Sequence, residues 1–387
     1  MAKVLNSLFW RIAEGFGDRA SIVPGQEGWG VTWKGAPSSL AETVHDRLGP
    51  KGGLDSSHTS PRQRGLLSGT PGLFDVRDGR VCSTPRTGPK HAEDPNARLV
   101  VAMSRWGRTI RFGRPVSGFS ILCRVFSGGR PEQGLLRKGK AALLGAYIND
   151  CDNYFHFWAD TVGDLWFLRR MGIEPLALDR LLMGFSGNRW QREILAMCGI
   201  DLGQVTSFSS FRRLIVPELL IPARPKGGSQ VPVWLVRALR ELVGWESEPG
   251  ARHRRLYITR TDAKRRRVAN ETEVTRVLRS RGFEVHECAG LTVREQQELF
   301  NSASIIVSPH GAALTNLIWC APGTRVIEFL PVRHAVPCFR DLALLAELNY
   351  TAVPCPSSSN VLLGMLADVV VPIMDVERHL DQDRRSS

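Results

Sequence analysis

The chain holds three clusters whose residue types and spacing suit chemistry on an anionic substrate. The first is Tyr257–Glu271, YITRTDAKRRRVANE, with Arg260 near its head and Lys264 to Arg267 in its middle. Between Arg252 and Glu284 eleven Lys or Arg stand against four Asp or Glu, a local excess of seven within a net charge of +13. Arginine's planar donor fork suits phosphate oxygens better than a lysine point charge does, so the run reads as a pyrophosphate clamp. On charge alone, a solvated basic loop or a patch tracking nucleic-acid phosphates accounts for it as well.

The second cluster is SPHGAALTN, Ser308–Asn316, which follows an apolar run and opens a helix. Gly311 permits a tight turn and close approach to a ligand, and the N–H groups and dipole of a helix start favour a phosphate. His310 reads either as part of that site or as a turn histidine satisfied by backbone. Glu328 ends the next apolar run, where it is placed to accept ribose hydroxyls or is a plain surface carboxylate. The third cluster is NYFHFWADTVGDLWFL, Asn153–Leu168. At about 100° per residue, His156, Asp160, Gly163, Asp164 and Phe167 share one stripe, and Tyr154, Phe155, Trp158, Val162, Leu165 and Trp166 cover the opposite side. A His and an Asp one turn apart can serve as a general base and its orienting partner. They also read as two of three metal ligands with no third in view, or as an ordinary polar face.

The elements that must position these groups follow from the apolar pattern. LVVAM, SILCRVF and AALLGAYI predict strands. A helix is predicted from Asn153 to about Arg170, another over Arg189–Cys198, and a strand within RRLIVPELLIP. The second half alternates more cleanly. RLYITR, FEVHEC, SIIVS, TRVIEFL and YTAVP predict strands. Helices are predicted over Asn270–Arg281, with Asn270 as N-cap and Glu273 three residues on, and from the capping box Thr292–Glu295 to about Ser302. A short helix over Gly311–Cys320 and one over about Val336–Leu348 complete the pattern. Such alternation predicts parallel strands joined by crossover helices, a Rossmann-like α/β domain.

The expected organisation has four parts. Residues 1–95, thick with Gly, Pro, Ser and Thr and without a sustained period, read as an irregular, partly disordered extension. Residues 96–225 read as a first, less regular Rossmann-like domain and 226–356 as a second, after a Gly/Pro-rich linker at 222–232. A helix and tail over 357–387 close the chain.

With 387 residues, 43% apolar and 23% charged, the chain can build two or three full cores, and a wholly disordered or collagen-like chain is excluded. Its eight cysteines form no CxxC pair and join no His cluster, so no metal site is expected and they read as reduced thiols. The start, MAKVLNSLFWRIAEGFGD, lacks a cleaved-signal pattern. The longest stretch without Asp, Glu, Lys or Arg, Leu299–Thr324, is broken by Pro309, Gly311 and Pro322 and makes a poor spanning helix. The chain therefore reads as soluble and cytoplasmic, with docking of its basic surface on anionic lipid left open. A GxSxG elbow, HExxH, a P-loop and a Cys-nucleophile signature are all missing. The basic run lacks the aromatic interleaving of single-strand binders, so nucleic acid is not the expected partner.

Together these segments resemble glycosyltransferase family 61, the group that includes plant xylosyltransferases and bacterial capsule-type proteins. The resemblance runs from about Asn153 to Pro331 through NYFHFWAD, LIVPELLIP, YITR with RRRVANE, GFEVHE and LTVREQQELFNSASIIVSPHGAALTNLIWCAPGTRVIEFLP. Its last segment is the most specific. The family usually has Gly where Ala313 stands and often Glu where Asp160 stands, and its members often begin with a membrane anchor.

The resemblance implies a GT-B architecture, two Rossmann-like domains facing across a cleft. It also implies inverting transfer of a sugar from a nucleotide sugar, expected to be UDP-linked, to a hydroxyl of a glycan or protein acceptor, with no metal or cofactor. Carried onto this sequence, Arg260, Arg265, Arg266 and the Gly311 helix start would stabilise the leaving nucleoside diphosphate. Asn270, Glu271, Ser308, His310, Ala312, Leu314, Thr315 and Asn316 would complete the nucleotide-sugar site, with Glu328 on the ribose. Asp160 would be the base and His156 its orienter, or the reverse. The alternatives are a nucleic-acid or anionic-surface binder using the basic 252–284 loop, and a family member that binds nucleotide sugar without transferring it.

Overall fold

A computed structural model of the chain describes residues 21–22, 27–28, 30–37, 40, 71–85, 98–103, 109–110, 139–145, 152–224, 231–246, 253–358 and 367–381. The chain divides into two compact units, and the main change-over falls between Leu239 and Arg240, inside the helix Leu235–Leu242. The expected boundary at 225/226 is therefore early. Trp234 stacks on Trp166 with ring centroids 4.8 Å apart, which ties the start of that helix to the first unit.

The first unit is built on a nine-stranded mixed sheet. Its strands are β1 (Ser21–Ile22), β2 (Val31–Gly35), β3 (Gly72–Pro85), β4 (Arg98–Met103), β5 (Thr109–Ile110), β6 (Lys140–Leu143), β7 (Arg180–Met183), β8 (Val205–Ser207) and β9 (Arg213–Ala223). The order is β1-β5-β4-β3-β9-β6-β7-β8, with β2 also on β3. β9, β6, β7 and β8 continue as parallel neighbours, and β1 runs parallel to β5 at the opposite edge. The centre, β3 with β9 and β4, is antiparallel.

Two expectations are corrected here. The unit is a mixed sheet rather than a Rossmann-like domain, and residues 1–95 are not simply an irregular extension. They supply β3, whose Phe74, Val76 and Val81 lie in the core with Val216, Leu219 and Ile221 of β9. The strand escapes a period-2 reading because Asp78, at φ +49°, interrupts it opposite Pro217, which has no N–H to offer. The predicted strand SILCRVF lies outside the described residues.

The second unit follows the sequence pattern closely. β10 (Arg254–Ile258), β11 (Glu284–His286), β12 (Ala303–Pro309), β13 (Arg325–Pro331) and β14 (Asn349–Cys355) form a parallel sheet in the order β11-β10-β12-β13-β14. Helices Glu271–Ser280, Val293–Asn301 and Cys338–Leu345 and the 3-10 segment Ala312–Trp319 join them in turn. Thr292 and Glu295 make the predicted capping box. Asn270 occupies the N-cap position, but its amide instead pairs with Val371, donating to the carbonyl and accepting the N–H, both at 2.9 Å. Helix Ile373–Asp381 adds Val376 and Leu380 to the core around Tyr257, Val307 and Phe329. The expected separate tail thus belongs to this unit. The chain leaves β10 first toward β11 and then toward β12, so the strand order reverses between β10 and β12. In such sheets the ligand crevice opens beyond the carboxyl ends of those two strands.

Candidate functional site

Two residues past the end of β10 stands Arg260, and two past the end of β12 stands Gly311. The Arg260 guanidinium lies across the Gly311 α-carbon, where a Cβ would overlap Nη1 and Cζ. Gly311 has φ −174° and ψ 165°, extended backbone open to any residue. The position therefore needs the absence of a side chain, not the tight turn expected from sequence. Arg260 Nη2 donates to the Arg265 carbonyl at 3.2 Å, folding the basic loop back over the strand ends.

Arg266 is held at φ +55°, a left-handed backbone that costs an L-residue about 1–2 kcal/mol. Burial, and then repulsion from Arg260, pulls its guanidinium down to about 10, and burial lowers Arg260 too. Arg260 Nε, Arg266 Nε and Thr315 Oγ1 are buried without a hydrogen-bond partner among the described residues. Two adjacent cations with unused buried donors are costly unless an anion meets them. The N–H groups of Ala312 and Ala313 precede the first bond of the 3-10 segment, Leu314 N–H to the Gly311 carbonyl at 2.9 Å, and add further donors.

Other residues assigned to the ligand by sequence turn inward. Ser308 Oγ bonds the Ile258 carbonyl at 3.1 Å, latching β12 to β10. Glu271 accepts from Tyr257 Oη at 2.8 Å and Thr259 Oγ1 at 2.5 Å, fixing the helix start to β10. Asn316 donates to Gln296 Oε1 at 2.8 Å and accepts from Trp319 Nε1 at 3.2 Å. Leu314 is core. Asn270 is occupied with Val371, as above. Glu328 is neither a surface group nor open to a ribose, because β13 runs between β12 and β14. Its Oε1 faces His310 Nδ1 at 2.5 Å, and its Oε2 accepts from Tyr350 Oη at 2.5 Å. Tyr350 was missed from sequence, although its place at the start of the strand beside Glu328 was a usable signal.

The first unit carries His156 and Asp160. The predicted helix is composite, with α-helical Tyr154–His156, a π-helical turn Phe157–Val162 and α-helical Gly163–Arg170. Asn153 caps it, its Oδ1 accepting the His156 N–H at 3.2 Å. His156 Nδ1 meets Asp160 Oδ2 at 3.0 Å, and Asp160 is buried. A π turn displaces backbone carbonyls from the usual ladder. Buried Arg224 collects two of them, donating from Nη2 to Ala159 at 3.1 Å and Asp160 at 3.0 Å. Its Nε donates to Asp164 Oδ1 at 2.6 Å, while Asp164 Oδ2 accepts the Gly145 N–H at 2.8 Å. Gly163 leaves room for this, since a Cβ there would stand 3.2 Å from Arg224 Nη1. An α-helical period hides both the π turn and Arg224.

Much of the basic run is neutralised locally. Arg254 pairs with Glu284, Arg267 with Asp368, and Arg281 with Glu377 and Asp381, while Arg255 lies over the Phe283 ring. That pattern does not suit a continuous phosphate-tracking strip. Among the described residues no group of three His, Cys, Asp or Glu is placed to hold a metal ion, and no helix is long and apolar enough to cross a membrane.

Residues 154–327 match the sequence model of the family described as Glycosyltransferase 61. A stretch of 70 residues, 18% of this chain, is 31% identical to beta-1,2-xylosyltransferase RCN11 of Oryza sativa subsp. japonica and covers 13% of that protein. The family match includes the His156–Asp160 turn as well as Arg260, Arg266 and Gly311. Over residues 154–327, just under half of its length, the chain is similar to glycosyltransferase family 61.

Proposed function

We propose that the protein is an inverting glycosyltransferase that moves a sugar from a nucleoside diphosphate sugar, UDP-linked, to a hydroxyl of a glycan or protein acceptor. The observation that carries this reading is the pair of crowded arginines, Arg260 and Arg266, with unused buried donors at the strand-order reversal. In the transfer the bond from the anomeric carbon to the phosphate oxygen breaks as the acceptor oxygen attacks from the opposite side. Charge builds on the departing diphosphate, and fixed cations and N–H groups stabilise it without having to reorganise. Asp160 takes the acceptor proton and His156 orients it. In this reading the second unit is the donor half of a GT-B enzyme.

Titration calorimetry with UDP and GDP tests the site. Wild type binds UDP in preference to GDP, and Arg260→Ala or Arg266→Ala loses most of that affinity. Wild type binding neither would overturn the assignment. For the base, Asp160→Asn lowers kcat about 100-fold or more with little change in donor KM, and full activity would remove Asp160 from the mechanism.

A further inference from the structure

We propose that Glu328 and Tyr350 are positioning residues for His310, holding its ring so that Nε2 meets the diphosphate of the bound nucleotide. The proposal rests on the nucleotide-sugar reading of the site. It replaces the expected contact between Glu328 and the ribose with a contact made by His310.

Glu328 is fully buried in the middle of a parallel sheet, where an ionised carboxylate is costly unless its lone pairs are met. Both oxygens are met, by His310 Nδ1 and by the Tyr350 hydroxyl. Tyr350 reaches it diagonally, two residues before Ala352, the register partner of Glu328. Burial and the Glu328 charge push the Tyr350 phenol up, so it stays protonated and donates. His310 is then held at one ring nitrogen and packed by two rings, Phe339 at 5.0 Å and His334 at 5.5 Å between centroids. Its other nitrogen, Nε2, has no hydrogen-bond partner among the described residues.

The location decides what Nε2 meets. His310 directly precedes Gly311, which lies under Arg260, and Glu328 is near enough to Arg266 to act on its charge. An imidazole whose Nδ1–H donates to Glu328 presents either a lone pair or a second N–H at Nε2. Against a phosphate it must present the N–H, and the Glu328 carboxylate balances the resulting charge. His334 is the other ionisable group packed on this ring, and Tyr350, Cys338 and Arg266 act on or feel the Glu328 charge. Burial keeps the Cys338 thiol neutral, and Asp341 is paired to Arg340. Glu328 is thus an anion that acts on Arg266, as Asp262 acts on Arg260.

Titration calorimetry with UDP, GDP and their 2′-deoxy forms as probes tests the arrangement. Glu328→Gln, which keeps the hydrogen-bonding shape, binds about tenfold more weakly, and Tyr350→Phe loses part of that affinity. The loss is the same for the ribo and deoxy nucleotides, and in a His310→Ala background Glu328→Gln causes no further loss, because it acts only through that ring. Unchanged affinity in Glu328→Gln, an equal further loss in the His310→Ala background, or a loss confined to the ribonucleotides, overturns the proposal while leaving the nucleotide site intact. If Glu328→Gln does not fold, wild-type affinity in Tyr350→Phe overturns it instead. Wild type binding no nucleoside diphosphate removes the underlying reading and the proposal together.

Discussion

The Arg260 guanidinium occupies the space that a side chain on Gly311 would need. The two residues come from different βα connections and meet only because β10 and β12 are neighbours at the reversal of strand order. This one contact places a cation over the start of the 3-10 segment and joins the two sequence clusters into one site.

Gly311→Ala tests that contact. The methyl group displaces Arg260 toward solvent without disturbing an extended backbone, so the fold tolerates it. The melting temperature is expected to fall by no more than about 3 °C, while nucleoside diphosphate affinity drops about tenfold or more. Calorimetry beside a thermal melt separates the two. Wild-type affinity in the variant would mean that the position of Arg260 does not matter.

Arg266 carries two costs, a left-handed backbone and a buried charge beside Arg260. Its folded-state value of about 10 lies below the ordinary guanidinium value, so the unfolded chain holds that proton more tightly. The charge therefore destabilises the fold at all pH below about 10, and the cost recedes only as pH rises beyond that. At neutral pH Arg266→Ala relieves the charge alone and Arg266→Gly relieves charge and backbone together. The glycine variant should be the more stable of the two by about 1 kcal/mol in urea denaturation, with nucleotide binding lost in both. An alanine variant as stable as the glycine one would show that the backbone stores no strain.

Arg224 and Asp164 form a fully buried ion pair that also ties the π turn beneath His156 and Asp160. Arg224→Met strands the Asp164 charge and releases two carbonyls, at an expected cost of about 3–5 kcal/mol in urea denaturation. Adding Asp164→Asn recovers part of that cost. A single variant within about 1 kcal/mol of wild type would show that the pair is not what holds the turn.

The six cysteines at 82, 198, 288, 320, 338 and 355 are free and buried. Burial pushes the Cys198, Cys288 and Cys355 thiols up to about 12, so almost none is thiolate at mildly alkaline pH. Alkylation of the native protein followed by peptide mass spectrometry should leave these three unmodified and label them fully after denaturation. Native labelling of Cys198 would contradict its burial.

The second unit was legible because each of its strands and helices carries its own local signal. Capping at Thr292, alternating apolar runs and Gly or Pro boundaries all depend on near neighbours in the chain. The first unit was not. Its central strand β3 has an interrupted period and finds its main partner β9 more than a hundred residues away, so only the assembled sheet reveals it.

At the candidate site of the second unit, the amino-acid sequence alone singled out the basic loop and the HGA turn, because residue type and spacing limit the chemistry available. The tertiary structure alone decided which side chains within them remain for a ligand. Ser308, Asn316, Glu271 and Glu328 are spent on internal hydrogen bonds, whereas Arg260, Arg266 and Thr315 keep unused donors. A polar residue looks the same in sequence whether it faces a ligand or the core. Burial decides between them, because every buried polar atom needs a partner and the partner is set by the fold.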